Sequence, residues 1–316
     1  MGRKLQGRGK ASGLASALVR QKSLEKQQNK VHKKNTTEKP VSKKLQESKI
    51  QQKIISQSRS IVPFTKNDYV MLVGEGDFSF AVSLLKNDYI VPERLIVTSF
   101  DHSVKELTLK YPHTFEENYK ILTEEYKVPI KFKIDATNLI KTLKVNAKNI
   151  TTVTGFPRVD FIMFNFPHTG RGIKDQDRNI RDHQVLVDGY FKSSVELFKL
   201  YQTSSILKSK TSDLNLVGST SQHDPKIILS VFEGQPYDSW NVKSLSKGHG
   251  LKVERSGDFQ WDKFEGYSHK RTNSEQNTTK VASERKARMY VFEKYRKQQE
   301  GKKGSKDDDE DDSDSD

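Results

Sequence analysis

Residues 68–84 read DYVMLVGEGDFSFAVSL: an apolar strand over 70–73 runs into Gly74-Glu75-Gly76-Asp77 and then into an amphipathic helical pattern. A chain leaving a buried parallel strand must turn sharply, and glycine both permits the turn and lets a ligand approach the backbone. Amides at the start of the following helix then face that ligand. A second apolar strand, over 95–100, leads directly to Asp101, the place from which such folds hydrogen-bond a ribose through a carboxylate. The glycine loop and the strand-end acid together define a nucleotide-type cofactor site on an α/β sheet.

The loop itself narrows the ligand. No Gly-Lys-Ser/Thr follows it, so it is not a P-loop, and Ser79 stands where the dinucleotide fingerprint has its third glycine. An acid inside the loop, Glu75 with Asp77 close by, suits a ligand bearing an amino group and a sulfonium better than one bearing a pyrophosphate. S-adenosylmethionine has both groups. The expected cofactor residues are therefore Gly74, Glu75, Gly76, Asp77, Phe78 and Asp101. A turn that merely links strand to helix is the alternative for the loop alone, and Asp101 argues against it.

Composition sets further bounds. The chain has 316 residues, enough for one large α/β domain over 61–300 with a basic arm over 1–60 and an acidic tail over 301–316. The arm carries 16 Lys/Arg against three Glu, and 307–316 holds eight acids and no base, within a net charge of +14. A basic arm on a basic body points to a polyanion, most simply nucleic acid, with a solvated arm as the competing reading. Cysteine is absent, which removes disulfides, zinc-thiolate sites and cysteine nucleophiles, and with them thiolate addition to a pyrimidine ring. No apolar run is long enough to span a bilayer, and the N-terminus lacks a signal-peptide core. Lys33-Lys34 and Lys43-Lys44 are candidates for nuclear import.

Apolar strands alternate with helical patterns, as a doubly wound sheet requires. Strands are predicted over 70–73, 95–100, 130–134, 160–164, 226–232, 252–255 and 289–294, and helices over 78–85, 115–126, 180–201 and 238–248. Seven strands, the last two joined without a clear helix, match a Rossmann-like class I methyltransferase: a mostly parallel sheet with an antiparallel last strand and helices on both faces. The polar stretch 204–225 reads as a mobile insertion. Trp240 and Trp261 read as packing residues.

Ligands bind at the carboxyl ends of parallel strands, which adds Asp135, Ala136 and Asn165-Phe166-Pro167-His168 to the site. Asp135 is placed to accept from an adenine amino group, or to cap the helix that follows, and Ala136 offers its amide to the ring. The tetrad sits where methyltransferases acting on ring or amino nitrogens carry Asn/Asp-Pro-Pro-aromatic, but Phe166 replaces the first proline and His168 the aromatic. Asn165 can orient both cofactor and a base edge. His168, in the ordinary imidazole range, can take the proton of an amide-like ring nitrogen such as uracil N3, or, following a proline, serve as a turn residue with both ring nitrogens satisfied.

The chain resembles the eukaryotic 25S ribosomal RNA uridine-N3 methyltransferases. The strings that carry the likeness are GEGDFSFA at Gly74, YPHTFEENY at Tyr111, FNFPHTGRGIKDQDRNIRDHQ at Phe164, GQPYDSW at Gly234 and GYSHKRTNSEQ at Gly266, covering most of 61–297. The resemblance implies S-adenosylmethionine-dependent methylation of one uridine in large-subunit ribosomal RNA, within pre-ribosomal particles in the nucleolus, by a monomer with no metal. Lys174 and Arg178 in the third string are expected to face the RNA. A non-catalytic assembly factor on the same fold would show degraded cofactor residues, whereas Gly74, Gly76 and Asp101 are intact.

The loop GYSHKRT at 266–272 precedes the final strand. If the strand before it is parallel, the loop begins over the ligand side. Tyr267, His269, Lys270 and Arg271 are then expected near an unpaired nucleotide, with the tyrosine as a stacking ring and the cations for flanking phosphates; the alternative is that Lys270 and Arg271 are surface charges and Tyr267 packs under the loop.

Overall fold

A computed structural model describes residues 62–211, 224–272 and 281–296. The basic arm, the acidic tail and most of the polar insertion lie outside these residues. Strands β1 (Val70–Val73), β2 (Leu95–Thr98), β3 (Ile130–Lys131), β4 (Phe161–Asn165), β5 (Lys226–Phe232), β6 (Leu251–Asp258) and β7 (Ala287–Lys294) form a seven-stranded sheet in the order β3-β2-β1-β4-β5-β7-β6. Pairing is parallel from β3 to β5, and β7 runs antiparallel to both its neighbours. This is the Rossmann-like methyltransferase sheet. β6 therefore points the same way as β5, and the loop after it begins on the ligand side.

The continuous apolar reading of β1 follows from burial on both faces. Val70 and Leu72 pack into one core layer with Phe78, Phe80 and Phe115, while Met71 and Val73 alternate into the other with Tyr190, Phe191 and Trp240. Helices α1 (Ser79–Lys86), α2 (Val104–Lys110) and α3 (Phe115–Lys120) follow β1 and β2, α4 (Leu139–Leu143) and α5 (Ile150–Thr154) follow β3, α6 (Gln176–Thr211) joins β4 to β5, and α7 (Val242–Gly248) precedes β6.

Helix α6 fixes the site's rear wall. The Tyr190 hydroxyl lies 2.9 and 3.0 Å from the carbonyls of Ile162 and Ile228, bridging β4 and β5. Gly189 lets the helix approach the loop after β3: an added Cβ would lie 2.7 Å from Thr137 Cβ. Ser193 accepts from the Leu139 amide at 2.7 Å.

Several boundaries differ from the predicted ones. The strand expected over 95–100 ends at Thr98, and Phe100 is exposed at the rim. The ladder expected over 130–134 keeps two residues because Lys133 adopts a φ of 62°. The helix over 115–126 changes after Lys120 to a π-type turn closed by the Tyr126 amide on the Ile121 carbonyl, 3.1 Å. Helix α6 extends through Thr211, so the first third of the supposed insertion is helical. The helix over 238–248 breaks at Asn241, whose φ is 52°. Three short helices, α2, α4 and α5, were not predicted, being only seven, five and five residues long.

Candidate active site

The carboxyl ends of β1, β2, β4 and β5 and the loop after β6 enclose one cavity of about 810 Å³. Its floor is the glycine loop. Gly74 has φ 70°, and a Cβ there would lie 2.4 Å from Phe164 Cε2, so only glycine fits. The loop is tied to β2 by the Glu75 amide on the Thr98 carbonyl (2.9 Å) and the Ser99 hydroxyl on the Glu75 carbonyl (2.8 Å). Asp77 builds the entry to α1: Oδ1 accepts from the Ser79 amide (3.1 Å) and hydroxyl (2.7 Å), and Oδ2 from the Thr114 hydroxyl (2.9 Å). Phe78 is a correction. With φ 65° it turns its side chain into the core against Phe115, 5.3 Å between centroids, and it is fully buried.

Glu75 lies buried against this floor. Desolvation, reinforced by Asp77 and opposed by the Ala81 amide, pushes its carboxyl up to about 8. Asp101 lines the neighbouring wall, where its Oδ1 is paired with Lys110, itself 3.3 Å from Glu106. Burial holds Asp101 above its usual range despite that cation. Lys110 escaped the sequence reading because its seven-residue helix is too short for its periodicity to register. Asp135 Oδ1 accepts from the Thr137 amide (2.8 Å) and hydroxyl (2.7 Å), a turn that sets Ala136 beside the cavity.

Asn165 ends β4 opposite Ser230. Its Oδ1 accepts from the Ser230 hydroxyl at 2.7 Å, and its buried Nδ2 has no partner among the described residues. Phe166, at φ 49°, stacks on Trp261 at 5.3 Å, so this residue is packing where the related pattern has proline. His168 accepts from the Gly170 amide on Nδ1 at 2.9 Å, which leaves the proton of the neutral ring on Nε2. The residue is exposed at the rim, yet desolvation first and His183 second, against Asp182, lower its conjugate acid to about 4. The lowered value favours the neutral ring near pH 7, with Nδ1 already accepting from the Gly170 amide.

The 266–272 loop folds over the floor. The Ser268 amide donates to the Ser79 hydroxyl at 3.3 Å, and the Tyr111 hydroxyl donates to the Arg271 carbonyl at 2.8 Å. Tyr267 lines the cavity, and its ring is also stacked on Trp261 (5.7 Å, 12°) and edge-on to Phe80 (5.1 Å), as in the packing alternative. Burial, then Glu75 and Asp77, raise its hydroxyl well above the usual value. His269 lies edge-on to Phe166 at 4.9 Å, and burial, Arg285 and His168 lower it to about 4, so it is neutral near pH 7. Lys270 and Arg271 line the cavity. Lys174 and Arg178 do not: both are exposed outside it, on the approach to α6 and in its first turn.

The sequence reading missed Asp182 and His183, while Trp240, expected as packing, is buried in the core. His183 is buried, stacked on Trp240 at 4.7 Å and 13°, with Nδ1 donating to the Asn179 carbonyl at 2.8 Å. Asp182 Oδ1 pairs with Arg171 at 2.6 Å. The signal was present: Asn179, Asp182, His183 and Leu186 recur at helical spacing, polar groups on the inward face of a helix.

Fold and cavity together define a Rossmann-like methyltransferase with its ligand pocket at the strand ends. Sequence comparison places it further: the model of the BMT5-like family, described as rRNA (uridine-N3-)-methyltransferase, matches residues 71–271. The chain belongs to that family. It is 44% identical over 323 residues to the Saccharomyces cerevisiae protein named "25S rRNA (uridine(2634)-N(3))-methyltransferase", covering 93% of this chain and 94% of that one. An uncharacterized Arabidopsis thaliana protein is 27% identical, over 66% of this chain and 84% of its own length. Among solved structures, a putative methyltransferase from Thermoplasma acidophilum aligns at TM-score 0.36 and 10% identity, covering 76% and 74% of the two chains, a likeness too weak to add to the sheet order. Among the described residues, no helix is long and apolar enough to cross a membrane.

Proposed function

We propose that this enzyme transfers a methyl group from S-adenosylmethionine to N3 of a uridine in large-subunit ribosomal RNA, acting as a monomer in the nucleolus. The observation that carries the reading is the single cavity joining the glycine floor, Asp101 and Asp135 to Asn165 and the cations Lys270 and Arg271. Its size suits a nucleoside cofactor and one extruded base together.

The residues fit the cofactor. Gly74 leaves room for close backbone approach, Asp101 would take the ribose hydroxyls, and Asp135 with Ala136 would meet the adenine edge, all of them lining the cavity. Glu75 is a buried acid whose surroundings hold it largely protonated near pH 7, and a ligand ammonium would supply the counter-charge it lacks. S-adenosylmethionine supplies an electrophilic methyl on a sulfonium. The chain's own work is to orient the base through Asn165 Nδ2, exclude water and hold the flanking phosphates. N3 lies on the Watson–Crick edge, so the uridine enters unpaired or flipped, at about a few kcal/mol.

Nucleoside mass spectrometry of large-subunit ribosomal RNA from cells with and without the protein tests the reading. Loss of one N3-methyluridine is the expected result. An unchanged nucleoside profile would overturn it.

A further inference from the structure

Three buried polar atoms that have no partner among the described residues belong to side chains lining this one cavity: Asn165 Nδ2, Asp182 Oδ2 and Trp240 Nε1. Buried polar groups are ordinarily bonded, and an orphan on a cavity-lining side chain is one that a ligand entering the cavity can satisfy once the side chain turns toward it. A chain of contacts links the segments that carry the three side chains. Asn165 is fixed by Ser230 at 2.7 Å, and His168, three residues on, lies 4.6 Å from the His183 ring. That ring stacks on Trp240 at 4.7 Å, and the Gln184 side-chain amide donates to the Ser239 carbonyl at 2.9 Å, tying α6 to the Trp240 segment. Asp182 is next to His183 in the chain, close enough to His168 to act on its charge, and its other oxygen is oriented by Arg171 at 2.6 Å.

The set is two donors and one acceptor. The imide edge of uracil is the converse, O2 and O4 accepting on either side of the N3–H donor. We propose that Asn165, Asp182 and Trp240 form the target-base subsite, and that Asp182 Oδ2 receives the N3 proton. This rests on the uridine-N3 reading above. In the step, the N3–H bond breaks and its electron pair forms the N3–CH₃ bond. The methyl–sulfur bond breaks with its pair going to sulfur, and the proton passes to Asp182 and then to solvent. Because the imide proton is far less acidic than a carboxylic acid, transfer runs in concert with attack on the methyl, and Arg171 holds the carboxylate aimed throughout. The same donors reject cytosine, which places an amino donor against a donor and an unprotonated N3 against the carboxylate.

The test uses the full chain and large-subunit RNA transcribed with either uridine or 5-fluorouridine, whose N3–H is more acidic. Asp182→Asn is expected to lower N3-methyluridine formation by about 10²- to 10⁴-fold with cofactor affinity unchanged. On fluorinated RNA the gap to the wild-type protein narrows severalfold, an effect that a merely structural role does not produce. If Asp182→Asn fails to fold, Trp240→Phe keeps the ring on His183 and removes one donor, and KM for RNA is expected to rise about tenfold. Turnover by Asp182→Asn within tenfold of wild type, an equal gap on both RNAs, or an unmoved KM in Trp240→Phe would overturn the subsite while leaving the uridine-N3 reading intact. Absence of N3-methyluridine from the wild-type reaction would remove both.

Discussion

Glu75 shows how far burial changes what a motif residue does. Its place in the loop marks it for a ligand ammonium, but the sequence does not reveal that the carboxyl is buried and pushed to about 8. An acid raised in this way favours the folded, ligand-free protein at low pH, and that contribution is lost as pH rises from the ordinary glutamate range through about 8. Glu75→Gln is expected to raise the Tm of the ligand-free protein at pH 8.5 by several degrees, each kcal/mol being worth about 2–4 °C. Cofactor affinity has the opposite slope. An ammonium selects the ionised form, so titration calorimetry should show affinity climbing close to tenfold per pH unit between pH 6 and 7. A flat profile in the wild-type protein would remove Glu75 from the ammonium site. At this scale the positions of Gly74, Asp101 and Asn165 at strand ends were legible because chain order alone places strand ends. The direction of Phe78 was not, since it depends on one left-handed φ, nor was the sequestration of Tyr267, which depends on Trp261 and Phe80.

At the scale of elements, strands were legible and short helices were not. β1, β4 and β5 announce themselves by apolar runs buried on both faces, whereas α2, α4 and α5 are too short for a periodicity to register. The cost of missing α2 was functional, because its end carries Lys110 and leads into Tyr111. Tyr111 closes the site: its hydroxyl stands 3.1 Å from where a Gly76 Cβ would be and donates to the Arg271 carbonyl at 2.8 Å. Tyr111→Phe removes that tether and about 1 kcal/mol of local stability. Hydrogen exchange over 266–272 is expected to quicken, with methyl transfer to RNA falling more than cofactor affinity. Protection equal to wild type across the loop would show that the Ser268–Ser79 contact alone holds it.

For the whole molecule, charge is distributed in a way the fold does not require. The arm over 1–60 has 16 cations against three acids, the end of the chain has eight acids, and the cavity mouth presents Lys270 and Arg271. On the proposed reading the mouth cations would meet the phosphates of an entering nucleotide, and the arm would add charge to the RNA contact. Each phosphate neutralised on a single strand adds about 0.7 to the slope of log affinity against log salt. Deleting residues 1–60 is therefore expected to weaken binding to large-subunit RNA at low salt and to flatten that slope by several units. If the arm contributes charge alone, methyl transfer to a short fragment carrying the target uridine should stay within about twofold. Filter binding across a salt series, run beside turnover on the fragment, separates the two contributions. An unchanged slope would show that the arm engages something other than RNA, and a collapse of turnover on the short fragment would place the arm in the catalytic site.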